Sequence, residues 1–329
     1  MRTRTDSIIA AITPGIVMLM ALAPLAATAS DTMQGTLQEY IIDYPSEEGE
    51  SGAPENEGVA AQGETPQFAR TERKYRLQRD DGSYVILQGE EALADYSTGD
   101  RVTVEGRLVS AARAEGPERM AVRAVEPAGN TRTREDGVAR ESRAADHGSG
   151  SVEKRRVLGI VVDFKGSETG ISQDDARNAI RASNTSSDAL FRIGSGGDAN
   201  GGGQMGFFPP EGSGPAVTHV DLEITPDGCD FWSDVDPWAD AADEAARNQG
   251  IDFSNHKHTV YFLPRGATSD CGWAGLGGVG CGSGCRAWIR GTSNGTTAHE
   301  LGHNVGLNHT RKFQGEGEEL KENGEYTLM

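Results

Sequence analysis

The 329-residue sequence is short of positive charge. Its 31 Lys and Arg stand against 50 Asp and Glu, a formal net charge of −19. Nucleic acid or an anionic membrane surface would need a basic face, so the balance argues against both partners. Six of the net negative charges lie in residues 46–64, which hold no Lys or Arg, carry few bulky apolar side chains and read as a disordered loop. Long apolar runs are absent beyond the first thirty residues. Within those thirty, Arg2 and Arg4 precede an apolar run from Ile8 to Ala26 that Pro14 and Pro24 interrupt, and Ala27-Thr28-Ala29 is a small-x-small cleavage site. Residues 1–29 therefore read as a signal peptide. The expected product is a secreted (extracellular or periplasmic) chain beginning at Ser30, with no membrane attachment after cleavage.

Cysteine is also scarce. The four residues Cys229, Cys271, Cys281 and Cys285 all lie in the second half. An even number in an exported protein points to two disulfides, and three pairings are open.

Of only seven histidines, three fall in HELGHNVGLNH, residues 299–309. The segment from Thr296 to Leu307 contains no proline and reads as helical, with Ser293 or Asn294 as N-cap. At 3.6 residues per turn, His299 and His303 project from one face, the bite that a tetrahedral zinc ion accepts from two imidazoles. Glu300 stands beside the pair, in reach of a water but not as a ligand. A third ligand, His309, requires the chain to turn first. Gly306 supplies that turn, since glycine enters the left-handed region without steric cost. Leu307 is then expected to pack inward while His309 swings back to the metal.

With Gly306 and His309 included, the stretch resembles the HExxHxxGxxH signature of the metzincin zinc peptidases. Upstream, CDFWSDVDPWADAADEAARNQGIDF (229–253), HKHTVYFLP (256–264) and CGWAGLGGVG (271–280) precede it in that order. This arrangement is similar to the gametolysin-like family of secreted metallopeptidases, M11, over roughly residues 157–329. The resemblance implies a zinc metalloendopeptidase with His299, His303 and His309 as metal ligands. It further implies Glu300 as the catalytic base, acting on a zinc-activated water, and a protein or peptide substrate from the extracellular medium or cell wall. It also implies that WAGLGGVG forms the sheet edge on which an extended substrate lies as an added strand, its glycines admitting a backbone closely. The family carries a methionine turn after the third histidine; here only Met329 follows. The competing reading is a secreted, zinc-binding but non-catalytic adhesion module. A purely structural site would not need Glu300.

The rest of the chain divides by composition. Residues 36–44, 73–78, 83–88, 101–109 and 120–126 alternate apolar and polar side chains and read as five strands, with Asp80-Asp81-Gly82 as a hairpin turn. Residues 30–127 are thus expected to form a small β-barrel, OB-like, serving as propeptide or accessory domain. Residues 128–156 read as a linker ending in the basic cluster Lys154-Arg155-Arg156, a candidate processing site. No cysteine precedes Cys229, so inhibition by the first domain cannot use a thiol on the metal. Residues 157–329 read as an α/β catalytic domain with a mixed sheet: strands at 157–164, 217–224 and 258–263, and helices at 173–182 and 237–248. The glycine-rich 194–203 reads as a surface loop, with Asp198 and Asn200 as weak calcium candidates. His219, His256 and His258 lack ligand spacing and read as structural.

Overall fold

The computed structural model describes residues 30–45, 68–109, 117–128, 153–168, 170–197, 203, 205–209, 216–280, 285–314 and 321–327. Residues 1–29, read above as a signal peptide, the acidic segment 46–64, most of the expected linker, Asp198, Asn200, Cys281 and Met329 lie outside the described residues.

All five N-terminal strands are present: β1 (Asp31–Pro45), β2 (Phe68–Gln78), β3 (Tyr84–Gln88), β4 (Arg101–Val109) and β5 (Arg119–Pro127). Their pairings close a ring. β1 pairs with β2 and β4, β2 with β3, β4 with β5, all antiparallel, and β3 with β5 in parallel. At the β2–β3 turn Gly82 has φ 85°, and the Asp81 carboxylate accepts from the Ser83 amide. The inward positions of the alternating pattern, Leu37, Leu77, Val85, Val102, Val104 and Met120, form one fully buried cluster.

The second region is a mixed sheet. β6 (Glu153–Phe164) lies in parallel between β8 (Val217–Leu222) and β9 (His258–Leu263), and β9 is followed by parallel β11 (Cys285–Arg290) and antiparallel β10 (Gly275–Gly278). The continuous apolar run at Val157–Phe164 is buried throughout because helices cover both faces. After the short α1 (Glu90–Leu93), α2 (Gln173–Arg177) continues as a π-turn to Ala182, and α3 (Ser187–Gly194) follows. On one face α4 (Asp236–Asn248) packs Trp238, Ala239, Ala242 and Ala246 against Ile160 and Tyr261. On the other, Leu301 of α5 (Asn294–Asn304) packs with Ile180 and Phe262. The chain ends in the hairpin β12 (Thr310–Gln314) and β13 (Lys321–Thr327).

Two features depart from the sequence reading. The strand expected to open at Val157 begins at Glu153, because β7 (Met205–Phe208) pairs with its first residues; Lys154 and Arg156 therefore lie in a ladder opposite Gly206 and Phe208. Helix α3 and strand β7 flank what reads as glycine-rich loop, and each is too short to show a clear period.

β1 joins the two regions. Residues 31–36 pair with β4, residues 36–45 pair with β2, and Tyr40–Asp43 pair antiparallel with β10, Tyr40 opposite Gly278 and Asp43 opposite Gly275.

Candidate metal and active site

The site is built on α5. Ser293 caps its start by accepting from the Thr296 amide at 3.3 Å. At its end Gly306 has φ 94°, its amide donates to His303 O at 2.8 Å, and the Leu307 amide donates to Gly302 O at 2.9 Å. This is the paired bonding of a Schellman stop, which only a left-handed residue permits cheaply. The expected inward packing of Leu307 does not occur. Its side chain is 37% exposed, lying over Gly302, because the turn aims its carbonyl inward instead. That carbonyl accepts from His303 Nδ1 at 2.8 Å.

The turn brings His309 back to the helix. His299 Nε2 lies 2.9 Å from His309 Nε2 and 3.1 Å from His303 Nε2. A fourth donor meets them that the motif did not contain: Asp43 of β1. Its Oδ2 is 3.0 Å from His299 Nε2, 3.2 Å from His303 Nε2 and 3.2 Å from His309 Nε2. Asp43 is completely buried. Thr71 of β2 donates its hydroxyl proton to Asp43 Oδ1 at 2.9 Å and, that proton being spent, accepts from His309 Nδ1 at 3.1 Å.

These second contacts fix the tautomers. Leu307 O can only accept, so His303 Nδ1 carries the proton; Thr71 imposes the same on His309. Each neutral ring then aims an Nε2 lone pair at the point where the Asp43 oxygen also points. Burial pushes His299 down to about 4, against the pull of the Asp43 hydrogen bond. With the rings in their neutral forms, at most one proton, on His299 Nε2, is left for four converging atoms. A cation at their centre satisfies all four. Ligands about 2.0–2.2 Å from a tetrahedral zinc stand roughly 3.3 Å apart, close to the separations seen. Burial alone would raise the Asp43 carboxyl, but hydrogen bonding from the histidine side, His299 first, outweighs it and holds it well below the usual carboxylate range.

Glu300 is fully buried beside this cluster, and neither carboxylate oxygen has a hydrogen-bond partner among the described residues. Burial, with the Asp43 charge adding to it, raises its pKa well above the ordinary value. Strand β10 runs directly against it. A Cβ on Gly275 would overlap the Glu300 carboxylate, and one on Gly277 would lie 3.0 Å from Glu300 Oε2 and 3.1 Å from His303 Cβ. These glycines therefore make room for the helix, a role the sequence reading had given to the approach of a substrate backbone. Asn304 ties the same elements together, its amide donating to Gly278 O at 2.9 Å and Arg286 O at 3.0 Å.

Residues 213–323, about a third of the chain, match the family described as Gametolysin peptidase M11. This match supports a gametolysin-like M11 peptidase assignment. No curated protein matches it. The M11 segment includes α5, its histidines, Glu300 and β10, but neither Asp43 nor Thr71. It also holds the disulfide Cys229–Cys271; Cys285 is disulfide-bonded too, its partner lying outside the described residues. Of the remaining M11 histidines, His258 is buried with Nδ1 3.3 Å from Asn304 Oδ1, and His219 Nε2 lies 2.9 Å from Asp163.

Asp43 is the residue that the sequence reading missed. Its one local signal was a carboxylate inside the apolar run EYIIDY, an unfavourable place for aspartate unless something pairs it.

Proposed function

We propose that the chain is an exported, zinc-dependent endopeptidase that hydrolyses peptide bonds of extracellular or cell-wall proteins. The observation that carries this reading is the convergence of His299, His303 and His309 on one point beside a buried, unpartnered Glu300. Three imidazoles suit zinc. The bound ion supplies Lewis acidity, polarising a carbonyl and lowering the pKa of a water to about 7.

The chain's own residues do the rest. Glu300, once ionised beside the bound cation, would take a proton from the attacking water, and the dry setting that raises its proton affinity suits it to hold that proton and pass it to the leaving amine. The edge of β10 that Tyr40–Asp43 occupy would, once freed, hold an extended peptide as an added antiparallel strand. The ring of β1 to β5, with β3 and β5 parallel, supports the reading of an OB-like barrel, which would serve as propeptide or accessory domain. The disulfide is compatible with secretion, and among the described residues no helix is long and apolar enough to cross a membrane.

One observation favours the non-catalytic alternative. With Asp43 the site has four protein donors, as structural zinc sites do. Glu300 counts against that alternative, since a structural site has no use for a buried base. Casein hydrolysis by the secreted protein should be lost on chelation and restored by zinc, and Glu300→Gln should retain zinc while losing turnover. Hydrolysis that survives chelation would overturn the reading.

A further inference from the structure

We propose that β1 is a built-in inhibitor strand and that Asp43 is the fourth ligand of the metal, so that the intact chain is latent. The inference rests on the metallopeptidase reading above and concerns the regulation of that site.

Asp43 Oδ2 lies within 3.2 Å of all three histidine Nε2 atoms. A fully buried carboxylate is costly unless a positive partner meets it, and an ion held by the three imidazoles is that partner. Four protein donors leave a tetrahedral ion no open position for a water. The coordination that marks a structural site is thus supplied here by a residue from outside the M11 span, 256 positions before His299.

The strand that delivers Asp43 also fills the groove. Tyr40–Asp43 pair in register with Gly278–Gly275, the edge an extended peptide would otherwise join. Three contacts lock it there. The Tyr40 ring lies 4.9 Å from Phe231 and 5.6 Å from Trp232, in an aromatic cluster that includes Trp288. Arg76 of β2 pairs with the buried Asp236 at 3.0 Å, on the carboxylate that Arg286 holds from the other side at 2.9 Å. Phe68 covers His299 with ring centroids 4.4 Å apart. Ligand, lid and groove filler therefore come from one N-terminal segment, β1 and β2, and no thiol is needed.

The test uses the full chain loaded with cobalt(II) in place of zinc, with acetohydroxamate as the probe of an open coordination position. The visible spectrum of the parent should not respond to acetohydroxamate. Asp43→Asn, which keeps the shape, and Asp43→Ala, which removes the ligand, should both respond. A parent spectrum that shifts with acetohydroxamate overturns latency even if neither variant folds. Variants with the parent's unresponsive spectrum overturn the role of Asp43. A parent that binds no cobalt overturns the metallopeptidase reading itself, which separates the two failures.

Discussion

Gly275 and Glu300 are in contact across β10 and α5, with no room for a Cβ between them. A side chain at 275 must push the strand off the helix or turn the carboxylate away from the cluster. Gly275→Ala should destabilise the protein by about 1–3 kcal/mol, the usual cost of overpacking a tight core. Gly194→Ala, where a Cβ meets open space, should stay within about 0.5 kcal/mol. Denaturant unfolding of the two variants checks this, and equal stabilities would contradict the contact.

Gly306 offers no side chain to the site, yet the placement of two of its histidines depends on its φ of 94°. The turn returns His309 to the site and aims Leu307 O at His303 Nδ1. Gly306→Val should lower zinc affinity by about 10- to 100-fold, the range seen when outer contacts of a metal site are lost. Gly306→Asn should be milder, since asparagine tolerates left-handed backbone. Competition with a chromogenic chelator measures both, and a parent-like affinity for Gly306→Val would remove the geometric basis of the third histidine. Asn304→Ala, a neighbour on the same helix, is no neutral control, because Asn304 bonds two carbonyls of the sheet.

His258 gives the fold a pH dependence. Burial pushes it down to about 4, the Asn304 hydrogen bond opposing and the Arg155 and Lys257 charges assisting. As pH falls below the ordinary histidine value, the unfolded chain takes up a proton that the folded chain refuses until about 4, so stability present above pH 6.5 is lost between 6.5 and 4. Between pH 7 and 5 the parent should lose about 2 kcal/mol more than His258→Gln. Urea unfolding with a chelator present at both pH values measures the difference, and identical losses would contradict it.

The parts of the site that could be read from the sequence are those whose partners are near in the chain. His299, Glu300, His303, Gly306 and His309 fall within eleven residues, and helix geometry plus one left-handed glycine places them. The five N-terminal strands were readable because each alternates over one buried face. Asp43 was not, because its partners lie more than 250 residues away and depend on β1 pairing with β10. The role of Gly275 and Gly277 was hidden for the same reason: a strand of glycines says that something approaches closely, and only the packing shows that it is Glu300. Lys154–Arg156 read as linker because the strand that pairs with them, β7, has only four residues.

We propose that three histidines of this chain hold a metal and that Glu300 does not. Zinc content per chain, measured by elemental analysis on freshly purified full-length protein, tests it most directly. The parent and Glu300→Gln should each carry one zinc, and His303→Ala should carry almost none. A parent without zinc, or a His303→Ala protein with the full complement, would contradict the account.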